Sequence, residues 1–158
     1  MATRRQTAYV ETTIPSYLVA KPSKNLVIAA HQDITRRWWK NARDNFELIV
    51  SQAVIDEIGA GSPYYAARRS NLLDGLPILA LTKRVEALAE VYASKLAVPK
   101  RAQVDLLHLA FAVENDLDYL MTWNCAHLAN AQMIRQLLRL NDNLGRQTPL
   151  IVTPEELL

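Results

Sequence analysis

The chain has 158 residues, half of them hydrophobic, with four glycines, one cysteine and a formal net charge of +2. That length and composition predict one globular domain over residues 1–158 with a real core, and argue against a disordered chain. The lone Cys125 rules out an intrachain disulfide, and neither a signal-peptide core nor a bilayer-length apolar run is visible, so a cytoplasmic protein is expected.

Apolar, β-branched runs recur along the chain: AYVET near residue 10, FELIVS near 48, LPILAL near 78, DYLMTW near 120 and PLIVT near 151. Bounded runs of this kind suit buried strands. Between the first two, residues 24 to 44 read as a long helix with Leu26, Ile28, Ala29, Ile34 and Trp38 available for burial. Its end carries Arg36, Arg37, Lys40 and Arg43 around Trp38 and Trp39. Arginine beside aromatics can grip a phosphate and stack on an unpaired base. The competing and preferred reading is an amphipathic helix with tryptophans inward and arginines in water.

After the second strand, GAGS at 59 to 62 reads as a helix stop followed by a new cap, with Pro63 at the first helical position. Past Thr82, Val85, Leu88, Ala89 and Tyr92 share one helical face, and Val104, Leu107, Phe111 and Leu117 do the same in the next segment. Thr153 and Glu156 have capping-box spacing behind Pro154, so a short helical turn closes the chain. Strands alternating with helices predict a three-layer α/β fold around a mainly parallel five-stranded sheet.

Three acids stand where βα units carry their sites. Glu11 ends the first strand, Glu57 follows the second by one helical turn, and Asp105 opens the helix VDLLHLAFA; Asn124 follows the strand DYLMT. In a parallel sheet such positions gather at the carboxyl edge, where ligands bind. Glu11 is the most telling, because a carboxylate in an apolar strand is expensive without a partner. Clustered carboxylates call for a cation, and Mg²⁺ or Mn²⁺ prefers oxygen ligands. Such an ion suits phosphodiester hydrolysis, with Glu11 and Asp105 as ligands and Glu57 either binding a second ion or orienting water.

Other candidates carry less. His108, three residues after Asp105, can reach the site, but a satisfied histidine packed on the sheet is preferred. Cys125 and His127 do not make a zinc site without further partners, and Cys125 is expected to be a small buried thiol. No P-loop lysine, nucleophile elbow or dinucleotide fingerprint occurs.

YVETTIPSYL, the E-x-x-x-G element from Glu57 to Gly61, DLLHLAFA and DYLMTWNCAHLAN occur in that order. Together they resemble the signatures of PIN-domain proteins, particularly VapC-like toxins of toxin–antitoxin pairs, from residue 8 to the end. The resemblance implies a Rossmann-like PIN domain, a Mg²⁺- or Mn²⁺-dependent endoribonuclease acting on RNA, a homodimer, and a small cognate antitoxin. It places Glu11 at the first acid, in most of the family an aspartate, Glu57 at the second and Asp105 at the third. Asn124 falls where a fourth acid is usual; it offers a carbonyl oxygen but no charge. Thr12 and Thr122 match hydroxyl positions beside the site, as donors to the ligating carboxylates. The alternative is a degenerate PIN fold that binds RNA or a protein without cutting.

Overall fold

A computed structural model describes residues 3–158; the first two residues of the domain expected over 1–158 lie outside the described residues. The elements run β1 (Gln6–Val10), α1 (Thr13–Val19), α2 (Leu26–Asn41), β2 (Phe46–Ser51), α3 (Gln52–Ile58), α4 (Pro63–Leu72), β3 (Ile78–Leu79), α5 (Lys83–Lys95), α6 (Gln103–Glu114), β4 (Tyr119–Met121), α7 (Ala131–Asn143) and β5 (Leu150–Val152). The strands form one sheet in the order β3-β2-β1-β4-β5, and every pairing is parallel. An all-parallel sheet needs helical crossovers, which cover both its faces. This is the three-layer Rossmann-like arrangement expected of the alternating pattern.

β1 is the central strand, buried from Thr7 to Val10, and it pairs with β2 on one side and β4 on the other. The order reverses at β1, so the crevice at its carboxyl end is the topological switch point. Glu11 is the next residue, and its backbone N–H extends the ladder to the Met121 carbonyl at 3.1 Å. The chain therefore delivers a carboxylate to the middle of the sheet's edge.

The helices depart from simple stripes in two places. In α2 the inward residues are Gln32, Thr35 and Trp38, while Leu26 is 86% exposed and Ile28 is also exposed. The expected burial of those two aliphatics is therefore corrected. Leu26 lies on the face opposite Thr35, whereas Ile28 shares the face of Gln32 but borders an open groove beside Tyr17 and Tyr65 instead of the core. In α6 Val104 is exposed, but Leu106 and the run from His108 to Val113 are buried. Lying between the sheet and α5, this helix is covered nearly all round, so a single-face reading understates it. In α5, Val85, Leu88 and Tyr92 are buried as expected.

Local signals fare well. Asn25 caps α2 through Val27 and Ile28 N–H, Ser51 caps α3 and Thr82 caps α5. Gly61 sits at φ +81°, a conformation glycine adopts without a steric cost, just before Pro63 opens α4. The capping box of Thr153 and Glu156 forms, on a 3₁₀ turn over Pro154–Leu157. No helix among the described residues is long and apolar enough to cross a membrane.

Candidate active site at the sheet's carboxyl edge

The three acids arrive on separate βα units. Glu11 follows β1, Glu57 sits in the last turn of α3, and Asp105 in the first turn of α6. Glu11 is only 4% exposed. Its Oε2 accepts from the Thr13 backbone N–H (3.0 Å), the Thr13 hydroxyl (2.5 Å) and the Thr122 hydroxyl (2.7 Å). Burial pushes this carboxyl above its ordinary range, against the pull of the His108 imidazole and of the Thr13 and Thr122 bonds.

Glu57 is held differently. Its Oε1 accepts from the Thr12 hydroxyl (2.8 Å) and meets His108 Nε2 at 2.5 Å. Burial raises this carboxyl, but the hydrogen bond and positive character of the His108 N–H, with the Thr12 hydroxyl, outweigh it and hold Glu57 below its usual value. Asp105 is half-buried and pushed up by burial; hydrogen bonding by Asn124 and the imidazoles of His108 and His127 pull it down, and Glu57 pushes it up. His108, fully buried, thus acts on all three acids.

Thr12 and Thr122 each donate to one of the acids, Glu57 and Glu11 respectively. Asn124 Oδ1 accepts the His127 backbone N–H at 3.0 Å, which ties its carbonyl to the local turn and leaves one lone pair of that oxygen over. Cys125 is exposed, correcting the expected buried thiol: it follows Asn124 in the turn that leaves β4 rather than in the core. Arg36, Arg37 and Lys40 are not brought to the acids. α2 meets Trp123 through His31 and Thr35, then Phe46 at the start of β2 through Trp38, so these cations lie on the half nearer the opposite sheet edge. Arg37 is paired with Asp33 at 3.3 Å, and Arg43 lies over the Trp39 ring at 4.2 Å.

Four contributors escaped the sequence reading in these roles. Thr13 was the second hydroxyl of the run that supplied Thr12. His108 is the satisfied histidine expected on the sheet, and it is also the partner of Glu57. Tyr9 and Ser51 join it through their hydroxyls. The available signal was spacing: Tyr9 lies two residues before Glu11, on the same face of β1.

The donors around the edge are carboxylate oxygens, as a hard divalent cation requires. Among the described residues no three His, Cys, Asp or Glu side chains stand close enough to form a closed ligand cluster. Glu57 turns toward His108 and Thr12, which leaves Glu11 and Asp105 as the acids not engaged by that pair. Glu11 Oε1 and Glu57 Oε2 receive no hydrogen bond among the described residues. One or two carboxylates with retained water is the usual Mg²⁺ arrangement, so the residues fit such an ion. A groove of about 520 Å³ between α1, α2 and α4 is lined by Tyr17, Lys21, Gln32, Tyr65 and Arg69, among others, and by none of the three acids.

Comparison with family models finds no match, nor does comparison with curated proteins. Among solved structures, the chain is similar in fold to a chain in the crystal structure of VapBC2 from Rickettsia felis bound to a DNA fragment from the promoter. The TM-score is 0.59 at 14% identity, over 94% of this chain and 98% of that one. The likeness is one of fold, and it agrees with the α/β arrangement that the motifs resembling PIN-domain proteins imply.

Proposed function

We propose that the chain is a Mg²⁺- or Mn²⁺-dependent endoribonuclease, the toxin of a toxin–antitoxin pair. The observation that carries this reading is the convergence of Glu11, Glu57 and Asp105 at the switch point of a parallel sheet with no Lys or Arg ion-paired to any of them among the described residues. The order of the sequence motifs and the fold likeness to a VapBC2 chain support the same reading, and with it a cognate antitoxin; a homodimer is proposed on the motif resemblance alone.

Glu11 and Asp105 hold the divalent cation, which when bound supplies Lewis-acid stabilisation of charge on phosphoryl oxygens and eases deprotonation of water. Thr13 and Thr122 aim Glu11 by occupying Oε2, leaving Oε1 toward the site. Glu57, held ionised, orients the attacking water with Oε2, while His108 and Thr12 fix its other oxygen. RNA approaches through its phosphates.

One observation favours a second reading, a binding module that does not cut: the fourth position is Asn124, which adds no charge, and its carbonyl already accepts His127 N–H. The decisive experiment is cleavage of a mixed RNA pool with Mn²⁺ by the native chain and by Asp105→Asn. Cleavage by the native chain that is lost in the folded variant supports the nuclease. Full activity of the variant overturns the assignment. Absence of cleavage by both, with no Mn²⁺-dependent rise in melting temperature, favours the binding module.

A further inference from the structure

Behind Glu57 and its partner His108 lie two further polar groups, Tyr9 and Ser51, that no step above uses. Ser51 Oγ stands 2.6 Å from Tyr9 Oη, Tyr9 Oη 2.5 Å from His108 Nδ1, and His108 Nε2 2.5 Å from Glu57 Oε1. Ser51, Tyr9 and His108 are each fully buried, so their protons and lone pairs must be satisfied by one another. Ser51 also caps α3, accepting from Val54 N–H at 3.4 Å, and Glu57 sits in the last turn of that helix. The circuit therefore leaves α3 at its start, crosses β1 and α6, and returns to α3 at its end.

Proton accounting allows one direction around it. An ionised Glu57 only accepts, so His108 Nε2 carries a hydrogen. If Nδ1 carried one as well, Tyr9 would accept it and donate to Ser51. Ser51 would then accept from both Tyr9 and Val54, and its own buried hydrogen would have no acceptor. With Nδ1 bare, each group is satisfied: Val54 N–H donates to Ser51, Ser51 to Tyr9, Tyr9 to Nδ1, and Nε2–H to Glu57.

We propose that Tyr9 and Ser51 are positioning residues that hold His108 as the single Nε2–H tautomer, and that this tautomer fixes the carboxylate of Glu57 at the acid edge. The role given to Glu57 rests on the nuclease reading; the tautomer does not. The test is the long-range ¹H–¹⁵N spectrum of the imidazoles in the full chain, without RNA or divalent ions. His108 is assigned by the signals lost in His108→Gln.

The native chain should show a pyridine-type Nδ1 and a pyrrole-type Nε2. Tyr9→Phe, which keeps the ring, should erase that pattern, and Ser51→Ala should weaken it while Ser51→Thr restores it. In the same variants cleavage should fall about tenfold, as when a partner behind a functional side chain is removed, and return in Ser51→Thr. A native His108 with hydrogen on Nδ1, or a pattern unchanged in Tyr9→Phe, overturns the proposal. So does a lost pattern with full cleavage. If Tyr9→Phe does not fold, Ser51→Ala and Ser51→Thr give the same reading. A native chain that shows the tautomer but cuts no RNA removes the nuclease reading and leaves the tautomer standing.

Discussion

Two acidic centres in this molecule are built on opposite terms. Glu114, at the end of α6, has its side chain largely buried between Arg84 at 2.7 Å and Arg146 at 2.6 Å. Glu11, Glu57 and Asp105, at the carboxyl edge of the sheet, have hydroxyls, backbone and imidazole instead of any such cation. Glu114 is a charge the fold has already neutralised, so its contribution is structural. The edge acids retain an unmet demand for positive charge, and a site that must bind a cation needs that demand left open. Both centres contain buried carboxyls; compensation, not burial, separates them.

Substitution should separate the two most sharply through activity. Glu57→Gln removes the charge proposed to orient water and should lower RNA cleavage by roughly 10²-fold or more, read as single-turnover rates. Glu114→Gln should leave cleavage within twofold. If it lowers cleavage as far as Glu57→Gln does, the division is wrong.

Stability should show the reverse. Glu114→Gln leaves two guanidinium groups facing a neutral amide and should cost about 1–2 kcal/mol in urea unfolding, discounted for the exposure of Arg84. Glu11→Gln removes a desolvated charge but keeps an oxygen for Thr13 and Thr122. Without divalent ions it should raise stability by up to ~1 kcal/mol, or ~3 °C in melting temperature. It should also abolish the Mn²⁺-dependent rise of the native chain; a rise of equal size in the variant would remove Glu11 from the cation site.

The smallest effect is the pH dependence. Glu11 and Asp105 have raised values in the folded state, so the folded chain binds more protons than the unfolded chain above their ordinary values of 4.5 and 3.8. Stability should therefore fall as pH rises through that window. Glu57 has the opposite sign: its contribution is present above 4.5 and is lost as pH falls through its lowered value. Millimolar Mg²⁺ should flatten the decline due to Glu11 and Asp105, measured by thermal unfolding from pH 4 to 8. A decline that Mg²⁺ leaves untouched would show that the two acids do not share an ion.

What the sequence made legible follows the range of the forces involved. FELIVS becomes a strand over its full length because burial on both faces selects a continuous apolar run. LPILAL keeps only Ile78 and Leu79, an edge strand with a single neighbour to define it. The positions of Glu11 after a strand, Glu57 one turn into a helix and Asp105 in the first turn of another were readable because chain direction in a βα unit sets them. Of their partners, Thr12 and Thr122 were legible from the motifs, but Thr13 and the network behind Glu57 were not. Tyr9 and His108 lie 99 residues apart, and nothing local in a tyrosine on an apolar strand announces that its hydroxyl meets an imidazole. Cys125 failed for the opposite reason, since cysteine's general preference for the interior was outweighed by its place in an exposed turn.

The wide separation of those partners also sets a clock. Glu11 leaves the ribosome well before the Thr122 hydroxyl that holds it, which lies 111 residues later. At ordinary elongation speeds that interval lasts roughly 5 to 20 s. β1 cannot take its place at the centre of the sheet until β4 has been made, so a growing chain carries its first acid without the frame that aims it. A protein that cuts RNA while being translated from it would endanger its own message. On the proposed nuclease reading, splitting the acid edge between β1 and α6 would postpone any such activity until both have been made.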